Sequence, residues 1–396
     1  VVAQGTMAEI LQSPSLTAQY LTGQMKIEVP AIRRTNKEQI IVVGARENNL
    51  QNITAHFPLN SLTLVTGVSG SGKSTLVKKI LYPALQRELD IFVEKPGQFT
   101  KLDGNYSSIK HVEFIDQNPI GRSSRSNPVT YIKAYDDIRA LFASQPLSKM
   151  RNYQAKHFSF NVDGGRCEAC KGEGTVTIEM QFMADVVLQC EHCKGRRFKR
   201  EVREVKFEGK SIDDILGLTV DDAIAFFEEH AQAKLVKKLS PLQKVGLGYV
   251  SLGQSSATLS GGEAQRIKLA SFIGKGDHRD KILFIFDEPT TGLHFHDIKK
   301  LLTSFEALLE KGHSLIVVEH NIDLIKLKRE EINNKQQEIY KKLNLIDKSI
   351  HQIAAYHHYR MLPYPHHTGS YCWFYAAATY RQHPALCRPI PDAISL

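Results

Sequence analysis

Hydrophobic positions follow two patterns along this chain. From Ile40, IIVVGARENNL and then LTLVTGVSGSGKSTLVKKIL set β-branched runs ahead of a glycine-rich turn and a helical repeat. That is the strand, loop and helix order of an α/β nucleotide-binding fold. ILFIFDEP at 282–289 and SLIVVEH at 314–320 are continuous apolar runs, with helical periodicity over 298–309 between them. Strands buried on both faces of a parallel sheet read this way. From about 91 to 250 the pattern breaks into Gly-rich and charged segments, which predicts a module inserted into the α/β unit. After Lys326, Ile332, Ile339, Leu343, Ile346 and Ile350 recur at roughly helical spacing in a charged stretch and predict an amphipathic helix. The last forty or so residues hold the only Trp and, once His351 is counted, six of the sixteen His, without a period, and no element is assigned to them.

Length adds a domain count: 396 residues exceed one ordinary core. The pattern divides them into a lead-in at 1–37, an ATP-binding domain at 38–90 and 275–326, an inserted domain at 91–274 and a divergent tail at 327–396. With 42% hydrophobic and 23% charged residues, most of the chain is expected to fold. The net charge of +9 suits a polyanionic partner, although the tail alone supplies nine Lys and Arg against five Asp and Glu. No run approaches the ~20 apolar residues that span a bilayer, and VVAQGTMAEI lacks the basic and apolar regions of a secretory leader. A cytoplasmic protein without a membrane partner is therefore expected.

Gly67, Gly70, Gly72, Lys73 and Ser74 satisfy GxxxxGK[ST] between a strand and a helix, the context a phosphate loop requires. Backbone amides of the loop and the helix start can converge on phosphate oxygens. Lys73 is expected to bridge the β and γ phosphates of ATP, Ser74 to ligate Mg²⁺, and Thr75 to line the same site. Asp287 and Glu288 close a hydrophobic strand, where open α/β sheets bind ligands. Asp287 suits the magnesium role, and Glu288 the role of polarising an attacking water.

Cys167-x2-Cys170 and Cys190-x2-Cys193 have nineteen residues between the pairs, a Cys₄ zinc spacing, and each pair runs into Lys-Gly. Four thiolates leave no open position for catalysis, so the Zn²⁺ is expected to be structural. A redox pair of CxxC motifs is the alternative.

Leu259-Ser260-Gly261-Gly262-Glu263 before a helix resembles the signature of ABC-type ATPases. The resemblance implies that Ser260, Gly261, Gly262 and Glu263 bind a nucleotide held by an opposite nucleotide-binding domain. It also implies that Gln117 acts as the Q-loop glutamine in catalysis and at magnesium, that 290–294 is the D-loop region, and that His320 is the switch histidine. A Cys₄ module between phosphate loop and signature narrows this. GARENNLQNI, IDQNPIGRSSRSNPVTY, FSFNVDGGRCEACKGEG, ATLSGGEAQRIKLA and DEPTTGLH are similar, in order, to the second nucleotide-binding half of UvrA, over about residues 40–326. VVAQGTMAEI and the residues after it resemble the end of the family's first half.

The UvrA resemblance implies an ATP-hydrolysing damage-recognition subunit of bacterial nucleotide excision repair, of the excision nuclease and SOS response, and damaged duplex DNA as partner. UvrB is implied too, although its docking region lies in the half this chain lacks. With one half only, the shared site predicts a nucleotide-dependent homodimer. The sequence departs from the family after VVEHNIDLIK. Basic residues gather at the cysteine module, and Arg166, Lys194, Arg196, Arg197 and Lys199 are the candidates for sequence-independent DNA phosphate contact, with Arg122, Arg125, Arg151, Lys156, Lys171 and Arg200 nearby. Two other readings stay open: the cytosolic ATPase of an ABC transporter, which would lack the cysteines, and a catalytically idle zinc-containing DNA-binding fragment.

Overall fold

The computed structural model describes residues 2–27, 37–92, 94–121, 123, 125–180, 182, 186–274, 280–321 and 324–325. The helix expected after Lys326, the tail and Arg122 lie outside these residues.

Four strands form a parallel sheet in the order β3 (Leu62–Val65), β11 (Ser314–Val318), β10 (Ile282–Asp287) and β5 (His111–Ile115). β11 is buried at every position and β10 at all but Asp287, which is why both read as unbroken apolar runs. A second sheet is antiparallel, with β1 (Gln39–Ala45) between β2 (Ile53–Pro58) and β4 (Lys101–Gly104). One core joins the two sheets: Ile40, Val42 and Phe57 pack with Val77, Ile80 and Leu81 and with Leu283, Ile285 and Ile316. The phosphate-loop helix lies in that core. Its first turns, Thr75–Leu81, are wound with i→i+5 hydrogen bonds before an ordinary helix continues over Tyr82–Glu88.

Segment 91–274, expected as one insertion, contributes β4 to the antiparallel sheet and β5 to the edge of the parallel sheet. The strand pairing thus carries the sheet unit past residue 90, to Ile115. The reason is spacing, since β5 is five residues long with only Val112 and Ile115 buried, a weaker signal than β10. Helix Tyr135–Ala143 comes next, its Tyr135 against Phe160 and its Phe142 against Phe158, with Phe198 on Phe160; helices Val220–Glu229 and Ala233–Lys244 follow and pack on each other. Within this segment β6 (Thr175–Ile178) and β7 (Val186–Gln189) form an antiparallel ribbon, and β8 (Lys206–Phe207) pairs with β9 (Lys210–Ser211).

The helix Gly261–Gly274 is fastened to the parallel sheet rather than standing apart from it. Gln265, 2% exposed, donates from Nε2 to the carbonyls of Ile115 (2.9 Å) and Asp287 (3.0 Å). The lead-in also has structure: helices Met7–Leu11 and Leu16–Leu21 are capped by Thr6 and Ser15, and Tyr20 stacks on Phe295 at the start of helix Phe295–Glu310.

Candidate nucleotide-binding site and four-cysteine module

The phosphate loop needs its glycines. Gly70 and Gly72 have φ of 80° and 97°, and a Cβ on Gly72 would meet Leu50 Cδ2 at 2.7 Å and Asn49 Oδ1 at 3.0 Å. Residues 48–50 support this loop: Asn49 Nδ2 donates to the Gly70 carbonyl at 2.5 Å, and Asn48 Nδ2 to Thr75 Oγ1 at 3.2 Å. In the sequence RENNL stood out only as part of a resemblance, with no such role; the paired Asn before an apolar residue was the available signal. Lys73 is buried at 9% exposure, with Nζ donating to the carbonyls of Gly67 (2.9 Å) and Val68 (3.0 Å), so its ammonium faces the loop's interior. Ser74 immediately precedes the helix, makes no side-chain capping bond there and is exposed.

Gln117, Glu288 and His320 meet at the carboxyl ends of β5, β10 and β11. Gln117 Nε2 donates to the Glu288 carbonyl at 3.2 Å, and His320 Nε2 lies 3.4 Å from Glu288 Oε1. Glu288 adopts φ of 48°, a left-handed conformation rare for a side chain of its size, and its amide donates to the Val318 carbonyl at 2.9 Å. Beside it, burial and then the Glu288 charge raise the Asp287 carboxyl above its ordinary value. Lys73 and Lys78 act the other way, which places Asp287 within the field of the phosphate loop.

Ser260 caps its helix and exchanges bonds with Glu263: the Ser260 amide donates to Glu263 Oε2 at 2.8 Å and the Glu263 amide to Ser260 Oγ at 3.3 Å. A Cβ on Gly261 would lie 2.9 Å from Gln117 Cβ, and one on Gly262 3.6 Å from the Thr291 carbonyl. The signature turn therefore abuts the Gln117 and Thr291 segments. A second joint lies behind it, where Lys268 Nζ donates to Asp116 Oδ1 (2.6 Å) and to the Asp116 carbonyl (3.0 Å). Burial works to raise Asp116, but the Lys268 hydrogen bond and charge outweigh it and the carboxyl is lowered. Glu319, which sequence reasoning also missed, is 2% exposed and accepts four hydrogen bonds from Thr290, His320 and Asn321. Its only signal in the sequence was a charge directly after an apolar run.

The four cysteine sulfurs lie within 4.8 Å of one another, and all four residues are buried. Cys167 and Cys190 are 3.9 Å apart and Cys170 and Cys193 3.6 Å. A tetrahedron with Zn–S bonds of about 2.3 Å has edges of roughly 3.8 Å, so this donor set fits zinc. Both CxxCKG knuckles turn alike: Lys171 and Gly172 have φ of 50° and 84°, Lys194 and Gly195 of 49° and 77°. Hydrogen bonds led by the Cys193 amide lower the Cys190 thiol to about 7, whereas burial pushes Cys193 up to about 12.

The five candidate DNA-contacting residues separate. Lys194 is exposed, and Arg196 is exposed with a 3.3 Å ion pair to Asp213. Both line a groove of about 800 Å³ with Gln254, Ser255 and Thr258. Lys199 pairs with Glu168 and Arg166 with Asp163. Arg197 turns inward: its guanidinium lies over the Phe160 ring, 5.5 Å from the centroid, and burial lowers its pKa. Its position serves the module's packing.

Phosphate loop, parallel sheet and signature helix together define an ABC-type nucleotide-binding domain that carries a four-cysteine insertion. Comparison with known proteins narrows the class. No family model matches the chain. It is 52% identical to UvrABC system protein A of Clostridium perfringens over 326 residues, 82% of this chain and 34% of that protein. Against UvrABC system protein A of Thermus thermophilus it is 50% identical over 326 residues, again 82% and 34%. The crystal structure of UvrA2 from Deinococcus radiodurans matches with a TM-score of 0.75 at 42% identity, covering 82% of this chain and 38% of that one. The chain thus spans about a third of the length of the curated relatives it matches, and over that span it is a member of the UvrA family.

Proposed function

We propose that this chain binds ATP with Mg²⁺ and hydrolyses it as part of a UvrA-like protein that recognises damaged DNA. The observation that carries this reading is the meeting of Gln117, Glu288 and His320 at the strand ends, with Glu288 and His320 3.4 Å apart. Lys73 is the cation for the β and γ phosphates, and Ser74, Asp287 and Gln117 are the residues that would hold Mg²⁺. When bound, Mg²⁺ would neutralise charge on the phosphate oxygens. We assign Glu288 the orienting of an attacking water, which would donate a hydrogen bond to its carboxylate, and His320, with Nε2 3.4 Å from Glu288 Oε1, the role of switch histidine beside it. Burial, and then the neighbouring Glu288 charge, make ionising Asp287 costly, and a bound cation would offset that cost.

The same reading assigns the remaining parts. Cys167, Cys170, Cys190 and Cys193 would hold one structural Zn²⁺, whose chemistry is confined to folding the module. Lys194 and Arg196 are the residues we assign to DNA phosphate contact, which would be independent of sequence and sensitive to salt. Ser260 to Glu263 complete a site across a nucleotide-dependent pairing with a second nucleotide-binding domain, here a second copy of this chain. UvrB and a cytoplasmic location are carried by the family alone. A transporter ATPase gains no support, since the four-cysteine module has no place in that reading.

ATP turnover and nucleotide binding measured on the purified chain test the proposal. Lys73→Ala should abolish binding, and Glu288→Gln should retain binding and lose hydrolysis. Equal turnover in the parent chain and Glu288→Gln would sink the assignment.

A further inference from the structure

β11 ends at Val318, and the next residue is a carboxylate shut away from solvent: Glu319 is 2% exposed. A buried carboxylate is costly unless its lone pairs are filled. Among the described residues no cation pairs with Glu319, and hydrogen bonds fill it. Oε1 accepts from the amide of Thr290 at 2.8 Å and from Thr290 Oγ1, and Oε2 accepts from the amides of His320 at 2.7 Å and Asn321 at 3.0 Å. Its own amide donates to the Val65 carbonyl at 3.1 Å, so the group is anchored to β3. All four bonds to the carboxylate come from donors, which explains an acid here rather than an amide: one end of a glutamine would present N–H to N–H.

The two halves of this carboxylate serve opposite sides of one gap. Thr290 lies two residues past Glu288, in the turn closed by the Thr291 amide on the Glu288 carbonyl. His320 lies on the other side, with Nε2 3.4 Å from Glu288 Oε1. Glu288 itself sits at φ 48°, a conformation its surroundings must impose. We infer that Glu319 is a positioning residue that sets Glu288 and His320 in register for hydrolysis without touching nucleotide. Neither side of the gap can move alone while both are tied to one rigid carboxylate. The inference rests on the ATPase reading proposed above.

Four variants of the full chain test it: Glu319→Gln, Thr290→Val, Thr290→Ser and the control Glu288→Gln. Nucleotide affinity in Glu319→Gln should stay within about twofold of the parent while turnover falls by about tenfold to a hundredfold, as misplacement of reacting groups costs. Thr290→Val should lose part of that turnover and Thr290→Ser, which keeps the hydroxyl, should hold it. Folding of each variant is checked by thermal unfolding, and binding is compared only among folded chains. Parent-like turnover in a folded Glu319→Gln chain overturns the inference, and so does a fall in affinity parallel to the fall in turnover, since that marks a general loosening. Histidine NMR gives a readout that does not depend on turnover: Glu319→Gln should shift the His320 ring resonances as Glu288→Gln does, and unchanged resonances overturn the inference. A parent chain that hydrolyses no ATP refutes the ATPase reading, a Glu288→Gln chain with parent-like turnover refutes the role given to Glu288, and in either case the NMR result decides the placement of His320.

Discussion

Phe284 and Cys170 are both buried, yet they hold their surroundings by different means. Phe284 sits in the middle of β10, with hydrogen-bonded strands on both sides and Phe272, Phe286 and His313 against its ring. Around Cys170 the buried cluster consists of four sulfurs, and the eight residues of β6 and β7 lie mostly open, with Val176, Ile178, Val187 and Leu188 all more than 40% exposed. The nucleotide site is therefore placed by a core that many side chains share, whereas the cysteine module depends on one centre. Loss of a single group should be graded in the first region and complete in the second.

The largest effect should come from the module. Cys170→Ser, or chelation of the zinc proposed for the four cysteines, should remove amide hydrogen-exchange protection across 165–199 while strands β10 and β11 keep theirs, because binding energy at such a centre, about 10–16 kcal/mol in isolated fingers, is folding energy. Simultaneous loss in both regions would break the contrast. Phe284→Ala comes next, at about 3–5 kcal/mol of global stability read from the denaturant midpoint. That variant should bind the same amount of zinc while folded. Gly172→Ala is smaller. Its Cβ would lie 2.2 Å from the Phe160 carbonyl oxygen at φ 84°, so the knuckle must shift, at a cost of roughly 1–3 kcal/mol. Competition with a chelator should show weaker zinc retention, and parent-like retention would mean that the knuckle has slack.

The same contrast explains what could be read before the structure. β10 and β11 were legible because a strand buried on both faces leaves an unbroken apolar run, and the phosphate loop because its glycines are demanded by backbone shape. The knuckles were legible because two CxxC pairs, each running into Lys-Gly, fix residue type and spacing together. β4 and β5 were not, since KLDG is a short edge strand with no residue fully buried and HVEFI buries two of five. Glu319 was hidden for another reason: two of its four hydrogen bonds come from Thr290, 29 residues away, and a charge directly after an apolar run does not by itself show that the charge turns inward. Arg197 misled in the opposite direction, as a basic residue in a basic cluster whose positive φ of 69° turns it over Phe160.

The smallest effect concerns the joint between Asp116 and Lys268, and acid separates it from the module. Their side chains are 22% and 16% exposed, so the pair should stabilise the unit by about 1 kcal/mol, the upper end for accessible ion pairs. Asp116 has its folded pKa lowered, so its contribution is complete above the unfolded value of about 3.9 and is lost as pH falls through the lowered folded value. Protons compete with zinc for four thiolates at every pH below neutrality, and metal affinity falls continuously over that range. On acidification the module should therefore release zinc and lose protection first, with the Asp116 joint still closed. The measurement is a urea midpoint for the parent chain and Asp116→Asn across about pH 3–7, read at the strands and tracked beside zinc release. The two midpoints should differ by a constant amount down to about pH 4 and converge below it. Convergence at the pH where zinc leaves would mean instead that the module and the sheet unfold as one.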